Sequence, residues 1–132
     1  MKEFRGPDPK VKERGPKKTA RKVDKQATKR AVLRHRSCFC EGTLPGCDGV
    51  AATGHHVYPR SQGGDDVTEN IVGAAGSGTT GCHGLLEANN VTARRLLGEH
   101  LILERQDVIG YVRGKLGEGP GNDWLSRRLF IR

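Results

Sequence analysis

Residues 54–84 read GHHVYPRSQGGDDVTENIVGAAGSGTTGCHG, and three of the chain's five histidines, His55, His56 and His83, fall inside them. The adjacent pair followed by Tyr58-Pro59-Arg60 is expected to lie on a strand. Side chains along a strand point alternately to opposite faces, so His55 and His56 cannot share one task. If one turns to a metal and the other to a bound water or phosphate, the two divide the labour that a hydrolytic site needs. His83 lies beyond a glycine-rich connection, at the start of a helix expected over residues 81–90. The order is strand, loop, strand, helix. Gly76-Ser77-Gly78 has the freedom of a phosphate cradle, but no Gly-Lys-Ser/Thr follows it, so it reads as a turn. His35 and His100 stand apart from this group and read as ordinary surface or core histidines.

Four cysteines, Cys38, Cys40, Cys47 and Cys82, also lie beyond residue 36, three of them close together. No segment reads as a secretion signal, which predicts a cytoplasmic protein. In that reducing setting a cysteine cluster is more often a metal site than a set of disulfides. A structural zinc is the leading reading, with buried free thiols or a redox pair as the alternatives.

The remaining composition sets bounds on this picture. A chain of 132 residues has room for about one domain and one catalytic site. Only 5% of residues are aromatic and 19 are glycine, so the apolar core is expected to be small and to gain from a metal staple. No apolar run approaches the roughly 20 residues that cross a bilayer, and no membrane partner is expected. The formal charge of +8 is uneven: residues 1–36 hold fourteen Lys and Arg against four Asp and Glu, and residues 37–132 hold nine against eleven. Residues 1–36 therefore read as a basic arm, partly helical or disordered, that contacts nucleic acid through its charge.

These residues together resemble the HNH endonucleases, especially the small phage-encoded type found beside DNA-packaging genes, over about residues 38–105. The positions that carry the resemblance are His55-His56, Pro59-Arg60, Gly63-Gly64, Asn70 and Cys82-His83. The resemblance implies an α+β fold built on a ββα-metal (His-Me finger) core, zinc-stapled, with a basic N-terminal arm and short flanking helices. It implies His55 as first metal ligand, His56 as general base, Asn70 as the side chain that ties the loop backbone, and His83 as second metal ligand. Relatives often carry two cysteine pairs around the finger. Here Cys40 and Cys47 have six residues between them, but Ala75 stands where a cysteine would complete a second pair with Cys82. The fourth zinc position then falls to Cys38 or to water, or the site is degenerate.

The activity expected is metal-dependent hydrolysis of DNA phosphodiesters, nicking one strand or cutting both, with Mg²⁺ or Mn²⁺ at the catalytic site. Arg60 is the candidate for gripping the scissile phosphate, because a guanidinium matches phosphate oxygens in pairs. His56 must be neutral to take the water's proton, with its other ring nitrogen fixed by a hydrogen bond to a backbone carbonyl. Asp65, Asp66 and Glu69 share the loop and receive no role. The expected partners are DNA and, through the resemblance alone, phage terminase or packaging proteins. Two other classes fit part of the sequence. A non-catalytic zinc-containing DNA-binding module accounts for the cysteines and the basic arm but not for the histidines. A packaging-associated scaffold with a decayed nuclease site remains open because of residue 75.

Residues 37–105 thus form the expected nuclease core, and residues 106–132 a C-terminal extension. Within them a short helix is expected over 93–98, a brief strand over 100–104 and a helix over 106–116. The glycines and proline of 117–122 are expected to end that helix. Residues 124–132 mix apolar residues with arginines and either dock on the core or touch DNA.

Overall fold

The computed structural model describes residues 22–34 and 36–132; residues 1–21, most of the expected basic arm, and His35 lie outside them. The described chain is α+β, with a two-stranded antiparallel sheet and five helices. Helix α1 spans Ala27–Arg34, strand β1 Thr53–His56, strand β2 Ile71–Ala74, and helices α2 to α5 span Gly81–Glu87, Val91–Glu104, Gln106–Leu116 and Glu118–Leu129. No helix among the described residues is long and apolar enough to cross a membrane.

The sheet pairs His55 with Val72 and His56 with Ile71. Directly paired residues share a face. Val72 and Ala74 join the main apolar core on one side, whereas Ile71 meets Ala27 and Ala31 of α1 on the other. All four residues of β2 are therefore buried. Small residues let α1 lie close to the sheet: a Cβ on Gly54 would come within 2.7 Å of Ile71 and of Thr28.

Part of the expected arm is thus built into the fold. The Asp66 amide donates to the Lys22 carbonyl at 2.8 Å, and the Asp24 amide to the Asp66 carbonyl at 2.8 Å. Residues 22–34 are docked structure.

One expectation for the second half needs correction. Residues 100–104 are not a strand but the last turn and more of α3. Their alternation is too short to outweigh the stripe Ala93, Leu97, Leu101, spaced at one helical turn and fully or almost fully buried. Leu103, which seemed to continue a strand's apolar face, is 78% exposed. The helix over 106–116 does end where expected, at Leu116, and α5 begins directly afterwards at Glu118. Pro120 falls in the first turn, where its missing N–H has no helical partner to lose. Gly121 is needed for close approach, since a Cβ there would lie 2.8 Å from the Arg113 Cα in α4.

Helices α4 and α5 do not form a separate layer. Val108, Ile109, Val112, Leu125, Leu129 and Ile131 belong to the same apolar cluster as Val72, Leu86 and Leu97. The junction between α3 and α4 carries Arg105, whose side chain is wholly buried. Its guanidinium donates to the carbonyls of Thr68 and Ile71, each at 2.9 Å, and makes two bonds to the Asp107 carboxylate. A buried cation is tolerated only with this degree of pairing. It fixes where β2 begins.

Candidate functional site

Helix α2 lies across the core face of the hairpin and brings His83 to His55. Their ring centroids are 5.3 Å apart. Glu87, one turn beyond His83 on the same helix face, completes the group. Its Oε2 stands 3.1 Å from His55 Nδ1 and 3.3 Å from His83 Nε2. The ligand atoms of His55, His83 and Glu87 all lie within 4.8 Å of one another, so the three could hold a metal ion. The sequence reading missed Glu87, although its signal was present: the spacing of four from His83 places both side chains on one helix face.

Thr53 adds a second contribution that the motif did not suggest. Its Oγ1 donates to the Gly76 carbonyl at 2.9 Å and lies 2.8 Å from His83 Nδ1. A hydroxyl has one proton. With that proton committed to Gly76, Thr53 accepts from His83 Nδ1–H, which leaves the Nε2 lone pair directed at His55 and Glu87. Burial, with His83 adding to it, drives the pKa of His55 down to about 4 against the opposing pull of Glu87. His55 is therefore neutral near pH 7, the form that ligates metals.

His56 faces the other way, as alternation along β1 requires. Its Nε2 meets Asp66 Oδ1 at 2.8 Å, so a carboxylate, rather than only a backbone carbonyl, holds this ring. The same carboxylate oxygen lies 3.3 Å from Arg60 Nε, and Arg60 is itself 61% exposed. Because β1 ends at His56, side chains from both faces reach one cleft around the strand's end. That cleft, about 420 Å³, is lined by His55, His56, Arg60 and Glu87 together with Arg94 and Arg128.

Asn70 is fully buried and ties the connection between the strands. Its Oδ1 accepts from the Tyr58 amide at 2.8 Å, and its Nδ2 donates to the carbonyls of Tyr58 and Asp65, each at 3.0 Å. Asp65 turns away from the histidines toward Tyr111, Lys115 and the Lys22 amide. Against burial, those bonds hold its carboxyl below the usual 3.8.

No protein-family model, curated protein or solved structure matches this chain.

A second cluster lies behind α2. Cys38, Cys40, Cys47 and Cys82 bring their sulfurs within 4.8 Å of one another and could hold a metal ion. Cys40 Sγ is 3.2 Å from both Cys47 and Cys82 and 3.7 Å from Cys38. All four are free thiols. The gap left by Ala75 is closed by Cys38, and the Ala75 amide donates to the Cys38 sulfur at 3.3 Å. Burial pushes Cys38 up to about 11 and Cys82 higher still, where the other three thiols add to it. Cys40 is brought down to about 7: burial opposes the thiolate, but hydrogen bonds from the Leu44 backbone, Cys82 and Cys47 outweigh it. Four sulfurs this close cannot all ionise unless a cation shares their charge.

Proposed function

We propose that this chain is a metal-dependent DNA endonuclease of the HNH, ββα-metal type. The observation that carries the reading is a His55–His83–Glu87 ligand group whose His55 and Glu87 line the same cleft as His56, which comes from the opposite face of β1. The resemblance in sequence named His55, His56 and His83. Glu87 was not part of it and joins them independently.

The residues fit a divalent ion: two imidazoles, one neutral by burial and one oriented by Thr53, with one carboxylate. Such an ion, when bound, neutralises charge growing on the phosphate and on the departing 3′ oxygen. The chain's own groups do the rest. His56 takes the proton of the attacking water, Asp66 holds the ring that does so and stabilises the imidazolium that results, and Arg60 draws the phosphate into the cleft. Asn70 keeps the loop that carries Arg60 and Asp66 in one conformation. The four thiolates would hold a structural zinc that fixes residues 38–47 to α2, and with them the position of His83.

Supercoiled plasmid incubated with the full chain and Mn²⁺ or Mg²⁺ should be converted to nicked or linear DNA, and a chelator should stop the conversion. Two imidazoles beside one carboxylate suit Mn²⁺ better than Mg²⁺, which prefers oxygen ligands, so Mn²⁺ should support the faster rate. Intact plasmid with every divalent ion tried would rule the activity out.

A further inference from the structure

The cleft that His55 and His56 line also carries two arginines that the mechanism does not use. Arg94 comes from the first turn of α3 and Arg128 from the last turn of α5. Arg94 Nε donates to the Arg128 carbonyl at 2.9 Å, and Arg128 lies over the Trp124 ring at 5.4 Å. Both side chains are only partly exposed.

Among the described residues, five of the other nine arginines stand beside an acid, and these two do not. Arg30, Arg34, Arg60, Arg105 and Arg127 each stand within 4.0 Å of an aspartate. Among the described residues Arg94 and Arg128 have no carboxylate partner, and Arg94 donates instead to the backbone carbonyls of Arg128 and Asn89. Burial and Arg94 together make the charge on Arg128 harder to keep. Holding two guanidiniums side by side, half-buried and uncompensated, costs stability unless an anion occupies the space between them.

We infer that Arg94 and Arg128 form a second phosphate-binding subsite, which grips a neighbouring phosphodiester of the strand whose scissile phosphate lies at His56 and Arg60. The ligand class follows from three features. Guanidiniums match phosphate oxygens in pairs. Arg94 and Arg128 line the same cleft as His56 and Arg60, so a strand whose scissile phosphate lies at His56 would run past them. Trp124, with Arg128 over its ring, also lines the cleft and is the aromatic residue that a sugar or base of the strand would meet there. The subsite takes the identity of its strand from the nuclease reading above, and it extends that site from one phosphate to at least two.

The test measures binding and so does not depend on cleavage. A fluorescein-labelled single-stranded octanucleotide is titrated with the full-length protein at several salt concentrations, with zinc retained and Mg²⁺ and Mn²⁺ withheld. Each arginine that meets a phosphate contributes about 0.7 to the slope of log Kobs against log salt. Replacing both, Arg94→Gln with Arg128→Ala, should lower that slope by about 1.4 and the affinity by roughly tenfold to a hundredfold. An Arg95→Ala, Arg127→Ala protein loses the same charge outside the cleft and serves as the control, with affinity within about threefold of wild type. If the Arg94 change disturbs folding, as a shifted melting curve would reveal, Arg128→Ala alone decides, with an expected slope change of about 0.7. Wild-type slope and affinity in the folded variant would overturn the subsite even if plasmid is cut. The expected loss in a protein that cuts no plasmid would support the subsite while refuting the nuclease.

Discussion

At the scale of single residues, His56 and Glu87 separate into two kinds of function. His56→Ala removes the proton acceptor and should lower the cleavage rate by roughly a hundredfold to ten-thousandfold at any metal concentration. Glu87→Ala removes one of three ligands from a site that retains His55 and His83. Its activity should fall by about tenfold to a hundredfold at limiting Mn²⁺ and recover as Mn²⁺ is raised. A metal titration of both variants on plasmid distinguishes them; equal rescue of the two would remove the distinction between base and ligand. Asp65 offers a different measurement. Its carboxyl is held below 3.8 in the folded protein by Tyr111, the Lys22 amide and Lys115, so the ionised form stabilises the fold. That contribution is fully present above pH 3.8 and is lost as pH falls through the lower folded value. Asp65→Asn should therefore be less stable than wild type by about 1–3 kcal/mol at neutral pH, with the difference shrinking as pH drops below 3.8. Melting curves between pH 2 and pH 7 check the sign.

At the scale of elements, the segment before α1 is the informative case. Residues 22–24 bond to Asp65 and Asp66, and Asp66 in turn holds His56. Residues 1–21 carry eight Lys and Arg against three Asp and Glu. Truncation after residue 21 should weaken DNA binding and flatten its salt dependence without lowering the melting temperature. Truncation through residue 36 would also remove α1, expose Ile71 and release the loop that carries Asp66, so it should lower both melting temperature and cleavage rate. Equal melting temperatures for the two truncations would mean that residues 22–36 are not docked. The hairpin, α2 and α4 were legible in the sequence because each announces itself by local pattern: alternation around paired histidines, a glycine-bounded start, an apolar stripe in 106–116. The length of α3 was not, since residues 100–104 taken alone satisfy a strand's alternation. Only the position of Leu101 beneath Leu97 in the folded core shows which period governs.

At the scale of the whole molecule, the four cysteines join parts of the chain that are distant in sequence. Cys38, Cys40 and Cys47 belong to the segment before the hairpin and Cys82 to α2, so a metal held there fastens the two sides of the main core. In a chain with so few aromatic residues this staple should matter to global stability. Purified protein should contain about one zinc per chain. Cys40→Ser should cost about 3 kcal/mol, visible as a fall in melting temperature of about 10 °C, and should impair catalysis only through His83. A metal-free protein that melts where wild type does would leave the cysteines as apolar filling.

The sequence by itself determined which residue types stand at the site and in what local geometry. His55 and His56 had to face apart because a strand alternates, and His83 had to lie on a helix begun after glycine. The same local logic contained Glu87, four residues on, although the motif drew attention elsewhere. What only the tertiary structure decided concerns contacts between residues far apart in the chain. Cys38 fills the place that Ala75 left open, Thr53 sets the tautomer of His83, and Arg105 anchors β2 from the α3–α4 junction. Arg94 and Arg128, thirty-four positions apart, meet in the wall of the cleft. Periodicity reports the direction of a side chain relative to its own element. It carries no information on which other element that side chain will meet, because that depends on how the elements bury their apolar faces together.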